Sequence, residues 1–566
     1  MIVLAMAAAL SSWSQVIRLE GHKAIRDNRS NVWLCSVPQD VFGTDWMATI
    51  EFDSLFSSLV IDGQQVVAGS SFTFDHIQGG KQYPVTATLG DEVITGAITF
   101  TWLPVLELKG EFGNEYAPGT VTLNAPDTAQ SREDLTAKLK WRGGITNTGD
   151  KHKRNYHIKF IDENGNKTNR RLLDLRKDNH WKLDGGQMDP LRIRNRVCSD
   201  LWLDMSRHPW HHDIDPTVVN GSNGRLTEVI LNGEYHGIYG LIEPIDRKQL
   251  GLVKTDETTG EVHGQQWTSK LKYPTYILPP PNNYSATWNG NEVSYPEIED
   301  VFPTDWSTLY NAFEFARRVD AVDDWQTLAD SLDYYFDTPV MEDYFIFIVT
   351  LQALDNEIKN IYYSCYDKTL GAPRLTLTPW DLDISVGARS VSGLDVSPER
   401  PLNWIAHVAL GDMFFWSAPH RQHIINRYWE LRKTWLHTDS LVARFQHAVD
   451  ELEECGAAGR EEARWSGDSD LGGAVLDLSG EMEYVADWIT RRMAYIDENV
   501  FVRDLEPGDV NQDGVVNIAD AIKLISMILS SDLSQVEADV TTDVNGDGVI
   551  NINDAIMLIS IILLGS

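Results

Sequence analysis

The chain has 566 residues, 42% of them hydrophobic and 10% aromatic, which is ample for folded cores and, at the usual domain size, for roughly three or four domains. Its 83 acidic and 48 basic side chains give a formal net charge of −35, which argues against nucleic acid and against an anionic membrane surface as partners. The cysteines stand far apart without a CxxC pair, which excludes a zinc ribbon and leaves one or two disulfides open; they are Cys35, Cys198, Cys365 and Cys455.

The chain starts with an apolar run, IVLAMAAAL at residues 2–10, followed by two serines. An apolar region followed by small residues at the cleavage site is typical of a secretory signal peptide, although the positively charged start is missing here. We predict a signal peptide over residues 1–15, and hence a secreted, extracellular or cell-surface protein; a buried first strand or helix is the alternative. No later run reaches the ~20 apolar residues that a bilayer span needs, so the sequence predicts no membrane span.

Residues 16–104 have the pattern of a small β-sandwich of immunoglobulin-like type. Short apolar runs recur at roughly ten-residue spacing between Gly, Asp and Asn turns; they are WMATIEF, SLVIDGQQVV, SFTFDHI, YPVTATL and VITGAITFTW. The region contains no reactive constellation, so we expect it to act as a spacer or contact domain.

A Gly-containing turn lies between two strand-like runs in the next region. Arg142, Gly143 and Gly144 follow LTAKLKW, and a strand, NYHIKF, carries Lys159. Backbone N–H groups of such a turn can bind phosphate, and a lysine on the next strand can supply the positive charge. Most Gly-rich turns are simply turns, and an exposed strand lysine is the commoner reading, so both alternatives stay open here.

A hairpin follows, RLTEVILNGEYHGIYGLIEPID, with Asn232-Gly233 at its tight turn. Glu243 closes its second strand, where a kinase-like fold would have its hinge. Residues 252–303 are polar and include three consecutive prolines, which predicts a long insertion or flap.

From residue 306 to about 501 helical patterns dominate, except in one central stretch, LDNEIKNIYYSCYDKTLGAPRLTLTPWDLDISVG. It contains a loop with Asp355 and Asn360, then two short strands, and then Asp381 and Asp383. Residues two positions apart in an extended chain point to the same side, so the last two carboxylates can converge on one point. Two close acids repel unless a cation lies between them, and Asp and Asn oxygens suit Mg²⁺ or Mn²⁺. An acid, an Asn, a hairpin and a metal-binding Asp occur in the same order in the catalytic loop and metal-binding loop of protein kinases. The His-Arg pair that precedes the catalytic Asp in those kinases is missing here. The alternative is an acidic loop with an N-capping Asp.

The β-rich first half and helical second half predict a two-lobed α+β arrangement with substrate between the lobes. After a linker near Pro507, two near-identical segments begin at Asp509 and Asp543. Each places oxygen ligands at the positions of an EF-hand calcium loop, with Gly at position 6, Asp in place of the last Glu, and no helix in front. The predicted ligands are Asp509, Asn511, Asp513, the carbonyl of Val515, Asn517 and Asp520 in the first loop, and Asp543, Asn545, Asp547, the carbonyl of Val549, Asn551 and Asp554 in the second.

The C-terminal region, residues 503–566, resembles a type I dockerin, an all-α module with two EF-hand-like calcium loops. The resemblance implies calcium-dependent folding and docking onto a cohesin-type scaffold protein outside the cell. Ile518-Ala519 and Ile552-Asn553 fall where dockerins carry their partner-recognition residues, and they differ from the small hydroxyl pairs of cellulosomal examples.

Residues 105–502 resemble the spore-coat protein H (CotH) kinase family, an atypical protein-kinase-like fold. The matching segments are WRGGIT, YHIKF, LRIRN, LNGEYHGIYGLIEPID, DNEIKNIYY and PWDLDISVG, and the Gly-rich turn departs from the common GRGNS-type form. The resemblance implies ATP with Mg²⁺ or Mn²⁺, Lys159 as the phosphate-binding lysine, Asp355 as the catalytic base, and Asn360 with Asp381 as metal ligands. Asp383 is implied as a further ligand or a supporting acid.

The first functional hypothesis is therefore a secreted, dockerin-bearing protein kinase that phosphorylates Ser, Thr or Tyr of an extracellular or surface protein. The alternative is a non-catalytic scaffold or adhesion component of a polysaccharide-degrading, cellulosome-like assembly. The chain contains enough carboxylates for a glycoside hydrolase, but the sequence shows no distinctive pair of catalytic carboxylates.

Overall fold

A computed structural model describes residues 16–270, 286–297, 304–322, 325–357, 359–389, 394–402, 418–503, 506–511, 515–530 and 541–564. The predicted signal peptide over residues 1–15 and the predicted calcium ligand Asp513 lie outside these ranges. All four cysteines are buried free thiols, which answers the disulfide question that the sequence left open. Among the described helices, none combines the length and apolar character that crossing a membrane requires.

The N-terminal region is built from nine strands: β1 Ile17–Leu19, β2 His22–Asp27, β3 Val32–Ser36, β4 Trp46–Phe52, β5 Ser58–Ile61, β6 Gln64–Val66, β7 Ser70–Phe74, β8 Tyr83–Leu89 and β9 Glu92–Thr101. Hydrogen bonds join them in one sheet of order β6-β5-β8-β9-β3-β2-β1-β4-β7. The sheet folds over on itself, since the ring of Phe74 on the last strand lies 5.1 Å from Tyr83 and 5.0 Å from Phe100. The predicted β-rich character is confirmed, and the two layers are halves of one continuous sheet.

Seven strands form a closed barrel of order β10-β11-β12-β13-β16-β18-β17. Their bounds are β10 Val105–Gly110, β11 Ala117–Asn124, β12 Arg132–Arg142, β13 Asn155–Phe160, β16 His180–Asp184, β17 Gly224–Leu231 and β18 Glu234–Ile242, and a small pair, β14 Arg170–Arg171 with β15 Lys177–Asp178, precedes β16. Ile158, Trp181 and Leu183 fill the interior with no exposed surface. Because alternate residues of a strand face opposite sides, their neighbours His157 and Lys182 lie on the outer face of the barrel.

A second sheet and most of the helices make up the other half of the central region. The sheet has the order β20-β21-β19-β22-β23, with β19 Gln265–Ser269, β20 Thr287–Trp288, β21 Asn291–Tyr295, β22 Ile361–Cys365 and β23 Leu375–Pro379. The helices are α1 Arg194–Met205, α2 Ser307–Val322, α3 Trp325–Tyr335, α4 Thr338–Leu351, α5 Ala418–Arg432, α6 Thr438–Glu454, α7 Ala457–Trp465 and α8 Leu478–Asn499, followed in the C-terminal region by α9 Ile518–Leu529 and α10 Ile552–Leu564. One hydrophobic core joins α1, α4, α6 and α8 to the hairpin β22–β23, so the hairpin is held by the helices.

The N-terminal region packs directly on the barrel. The N–H of Asn28 donates to the carbonyl of Gly233 at 2.7 Å, and the N–H of Tyr235 donates to the Asp27 carboxylate at 3.1 Å. Ile25 and Leu34 share a small buried cluster with Val105, at the start of the barrel. The predicted spacer therefore has a defined contact with the barrel through the turn at Asn232-Gly233 and its neighbours.

A buried ion network fastens the barrel to the helices. The carboxylate of Glu461 on α7 accepts hydrogen bonds from Lys153 at 2.6 Å, from Arg192 at 2.7 Å and from the N–H of Ile238 at 2.8 Å, and these side chains have almost no exposed surface. Each buried charge is satisfied by the others. The network fixes the loop that leads from the Gly-rich turn into β13 and the segment that leads into α1.

Candidate functional site

The central stretch predicted as the site is a loop held against a hairpin. α4 ends at Leu351, and a short helical turn at Leu354–Glu357 carries Asp355. Antiparallel pairing of Ile361 with Pro379 places Asn360 beside Trp380, whose N–H donates to the Asn360 carbonyl at 2.9 Å. The pairing therefore brings the residue before β22 next to the aspartates that follow β23.

Asn356, which sequence analysis did not single out, locks these two loops together. It has no exposed surface, and its side-chain amide donates to the carbonyls of Asn360 at 3.1 Å and Trp380 at 2.8 Å. The hydroxyl of Tyr344 on α4 donates to the Asn356 carbonyl at 2.7 Å. Asn356 thus fixes the spacing between Asp355 and the loop that begins at Asp381.

The carboxylates of this region repel one another. Burial raises the pKa of Asp381, and the charges of Asp184 and Asp355 raise it further, while Arg142 and Lys359 act in the opposite direction. Burial also raises the pKa of Asp383 well above its usual range, with Asp381 as the next largest cause. A cation among these oxygens would relieve the repulsion, so the donor set fits a divalent metal.

Asp184 belongs to this group, although no pattern in the sequence singles it out. It ends β16, and its carboxylate accepts a hydrogen bond from the side chain of Asn195 on α1. The carbonyl oxygen of the same Asn195 side chain accepts the N–H of Leu382 at 3.0 Å. Asn195 therefore couples the barrel, α1 and the loop between Asp381 and Asp383.

Lys182 is the lysine that the fold places beside these acids. It precedes Asp184 by two residues on the outer face of β16, and its Nζ lies 3.9 Å from the centre of the Trp380 ring. Burial lowers its pKa well below the usual value and Arg142 contributes, whereas Asp246 and Asp381 favour the charged form. In the described ranges no carboxylate oxygen lies within 4.0 Å of its nitrogen, so this buried amine is available to an anion.

Lys159, the predicted phosphate-binding lysine, lies on the same outer face but further from the aspartates. It pairs across the sheet with Lys138 and with His180, and its Nζ lies 4.6 Å from the centre of the Tyr116 ring. Burial lowers the pKa of Lys159, with Lys167 the next largest cause. The structure places Lys182 against the ring of Trp380, the residue before Asp381, whereas Lys159 lies opposite His180 further along β16.

The Gly-rich turn reaches the same place. The guanidinium of Arg142 lies 5.5 Å from the Trp380 ring centre, and its buried Nη1 has no hydrogen-bond partner among the described residues. Gly143 has φ +116, and a Cβ there would come within 2.2 Å of the Thr146 hydroxyl, so the tight turn requires glycine. Gly144 follows it and is exposed. The Nδ2 atom of Asn360 is likewise buried without a hydrogen-bond partner among the described residues.

Two other predicted residues are held by protein groups. Asp355 forms an ion pair with Lys359, one helical turn further along the chain. Glu243 is buried, and its carboxylate accepts the N–H of Arg176 at 2.7 Å; burial is also the main cause of its raised pKa. Glu243 thus holds the segment before β16 against the end of β18. Its carboxylate is occupied by the backbone N–H of Arg176.

The two predicted calcium loops share one arrangement. The carboxylate of Asp554 has no exposed surface and accepts the N–H groups of Asn545 at 3.1 Å and Asn551 at 2.8 Å. The carboxylate of Asp520 accepts the N–H groups of Asn511 at 2.8 Å and Asn517 at 2.9 Å in the same way.

The last aspartate of each loop therefore folds the loop back on the start of its helix. In the second loop, Asp543 accepts the N–H groups of Asp547 and Gly548. Each loop's Asn at position 9 accepts an N–H from the first helical turn, that of Ala519 in the first loop and Asn553 in the second. Carboxylate and amide oxygens concentrated in this way fit a calcium ion.

Comparison with known families gives two matches. The model of the CotH kinase protein family matches residues 139–496, which is more than half of the chain and covers every residue of the site around Asp381. The model of the dockerin type I domain matches residues 507–563 and covers both loops. No curated protein matches the chain.

Proposed function

The chain belongs to the CotH kinase protein family and carries a C-terminal type I dockerin domain, and on this premise we propose that it is a secreted protein kinase anchored by its dockerin. The proposed reaction transfers the γ-phosphate of ATP to a Ser, Thr or Tyr hydroxyl of an extracellular or surface protein. The observation that supports the proposal most is that Lys182 and Arg142 both lie against the ring of Trp380, the residue before Asp381. The loop that carries Asp355 and Asn360 is hydrogen-bonded to the backbone of the same Trp380.

The order of elements supports a two-lobed kinase arrangement. A strand, a Gly-rich turn, a strand, a strand with a lysine, a helix and a hairpin occur in this order in protein kinases as well. Here they are β12, the turn at Gly143, β13, β16 with Lys182, α1, and β17–β18. Glu243 then stands at the predicted hinge, and Asp355, Asn360 and Asp381 follow as in the kinase catalytic and metal loops.

Each side chain has a defined role in this proposal. Lys182 and Arg142 bind phosphate oxygens and neutralise their charge, and their positions beside Trp380 keep both cations at the same end of the cleft. Asn360 and Asp381 hold Mg²⁺ or Mn²⁺, and Asp383 and Asp184 supply further oxygens. The metal, when bound, neutralises charge on the transferred phosphate. Asp355 accepts the proton of the attacking hydroxyl.

The catalytic role of Asp355 is tested by transfer of labelled phosphate from ATP, with Mg²⁺ or Mn²⁺, to the chain itself and to added proteins. We expect label with the wild type and a loss of about a hundredfold or more in Asp355→Asn, because that change removes the base but keeps the shape of the side chain. Equal labelling by both proteins would exclude Asp355 as the base.

The choice of Lys182 over Lys159 is tested by nucleotide binding. We expect ATP with Mn²⁺ to raise the melting temperature of the wild type and of Lys159→Met, but not of Lys182→Met, since only Lys182 lies beside Asp381. Both changes remove one positive charge from the same face of the barrel, so each is a control for the other. A loss confined to Lys159→Met would return the phosphate-binding role to Lys159.

A second candidate function is a non-catalytic scaffold or adhesion component of a polysaccharide-degrading assembly. The ion pair between Asp355 and Lys359 favours it, because a carboxylate held by a cation is a poorer proton acceptor. No label in any condition, together with no ATP-induced rise in melting temperature, would support this candidate and exclude the kinase.

Dockerin domains bind calcium and cohesins, so we propose that the C-terminal region attaches the chain to a cohesin-type scaffold outside the cell. The predicted ligands in the two loops hold two calcium ions. Several apolar side chains of the dockerin helices are exposed, as a docking surface requires; among them are Ile518, Ile522, Ile552 and Ile556.

A further inference from the structure

Four lysines gather on the outer face of the barrel, around β12, β13 and the turn that follows β13. Lys138 of β12 lies directly opposite Lys159 of β13, and the Nζ atoms of Lys140 and Lys159 lie 4.7 Å and 4.6 Å from the centre of the same ring, that of Tyr116. Lys167 contributes its charge to Lys159 from the following turn. We call these four residues the lysine patch.

The patch has little compensating charge. None of the four lysines has a carboxylate oxygen within 4.0 Å among the residues that the structure describes. Among the largest influences on the pKa of Lys159 after burial, the charges of Lys167, Lys140 and Lys138 are opposed by that of Glu297. Like charges directly opposite each other across a sheet are destabilising. A concentration of unbalanced cations is unexpected in a chain whose net charge is −35, and it indicates that the patch meets an anionic partner.

The patch continues the face that carries the proposed phosphate-binding residues. Lys138, Lys140 and Arg142 are alternate residues of β12, so their side chains share one side of the sheet. At about 3.3 Å per residue, Lys138 lies roughly 13 Å from Arg142 along the strand. A chain bound along the patch can therefore lead into the cleft at Asp381.

From this arrangement we infer that the lysine patch docks an acidic segment of the protein that receives the phosphate. The inference rests on the proposed kinase function and names the chemistry of its acceptor. Acidic side chains at alternate positions of an extended segment repeat at roughly 7 Å, the repeat of Lys138 and Lys140 on their strand. The barrel is closed and offers no free strand edge, so recognition depends on side-chain charge.

Two other occupants fit less well. The nucleotide is held by Lys182 and Arg142, which lie nearer to the aspartates, so the patch lysines are left for another anion. A nucleic acid would meet repulsion from the whole chain over a long surface, whereas a short acidic segment meets mainly the local patch. Attachment of kinase and acceptor to the same scaffold would raise their effective concentration and make modest affinity sufficient.

The inference is tested by fluorescence anisotropy on the full chain, with a labelled twelve-residue peptide of alternating Glu and Ser. A peptide of alternating Gln and Ser is its uncharged counterpart. The patch variant combines Lys138→Gln with Lys140→Gln. The control combines Lys433→Gln, in the turn after α5, with Lys523→Gln, on α9. Both control lysines are exposed, so the control removes the same charge outside the patch.

At low salt we expect the wild type and the control to bind the acidic peptide, and the patch variant to bind it about tenfold more weakly. Raising the salt concentration should weaken binding by the wild type and the control and narrow this difference, because salt screens the attraction between the lysines and the acidic side chains. Equal binding by patch variant and control, or no binding by the wild type, would overturn the inference. Loss of the ATP-induced rise in melting temperature in the patch variant, with peptide binding intact, would place these lysines in the nucleotide site and also overturn it.

Peptide binding does not require phosphate transfer, so the two proposals fail separately. If the wild type binds the acidic peptide through the patch but transfers no phosphate, the patch stands as a docking surface and the kinase proposal falls. If transfer is observed but the acidic peptide binds equally to all variants, the kinase proposal stands and the patch inference falls.

Discussion

Replacing Asp381 with asparagine is expected to reduce phosphate transfer by at least about a thousandfold, which corresponds to ~4 kcal/mol of activation free energy. The reason is that Asp381 is the carboxylate around which the other groups of the site are arranged. Asn360 lies beside it across the hairpin, Arg142 and Lys359 act on its charge, and Asp184 faces it from the barrel. Asparagine keeps the shape but removes the charge that holds a divalent cation.

The same variant is expected to be more stable than the wild type when no divalent cation is present. Burial and neighbouring acids raise the pKa of Asp381 in the folded chain, so the ionised form is disfavoured there relative to the unfolded chain. The folded state therefore binds the proton more tightly, and the wild type loses stability as pH rises from the usual Asp value of ~3.9 through the raised pKa. Near neutral pH, Asp381→Asn should therefore melt at a higher temperature than the wild type, and this difference should shrink as pH falls toward ~4.

Thermal melts with and without Mn²⁺, followed across pH, check both parts of this prediction. Mn²⁺ should raise the melting temperature of the wild type and leave that of Asp381→Asn unchanged. Asp62→Asn removes an exposed carboxylate from a turn of the N-terminal region and should behave as the wild type throughout. An Asp381→Asn protein that still responds to Mn²⁺ would remove Asp381 from the metal site.

Removal of calcium is expected to unfold the dockerin domain while the central region stays folded. Asp520 and Asp554 have no exposed surface, and each accepts two backbone N–H groups of its loop, so the loop closes around oxygens that repel without a cation. A ligand that binds only the folded state stabilises it by ~2.7 kcal/mol at a hundred times its dissociation constant, and chelation removes that stabilisation. Cohesin binding should be lost at the same time.

Calorimetry of the full chain, with calcium or with a calcium chelator, measures this effect. One transition should move to lower temperature on chelation and should also be lowered by Asp520→Ala or Asp554→Ala in the presence of calcium. Lys523→Ala changes an exposed residue of α9 outside the loops and is the matched control. Transitions that are the same with and without calcium would contradict a structural role for the ion.

The sequence by itself determined the parts of this protein whose residues lie close together along the chain. The repeated twelve-residue loops, with their pattern of oxygen ligands, predicted the dockerin that the family comparison confirms. The ordered motifs from WRGGIT to PWDLDISVG predicted the CotH domain. The proposed pairing of Asn360 with Asp381 could also be foreseen, since one short hairpin brings them together. The regular turns of the first hundred residues predicted a β-rich region, but not that its two layers belong to one sheet.

Only the tertiary structure shows that Lys182 and Asp184 lie on the side of the barrel that contacts the loop at Trp380 and Leu382. Lys159 and Lys182 both lie on the outer face of the barrel, and the alternation of a strand cannot tell which of them lies nearer the end where Asp381 stands. Asp184 and Asn195 reach the loop at Leu382 from almost two hundred residues earlier in the chain. Their positions follow from closure of the barrel and from packing of α1 against the hairpin. Such contacts depend on how distant elements pack, and no local pattern of residues specifies that packing.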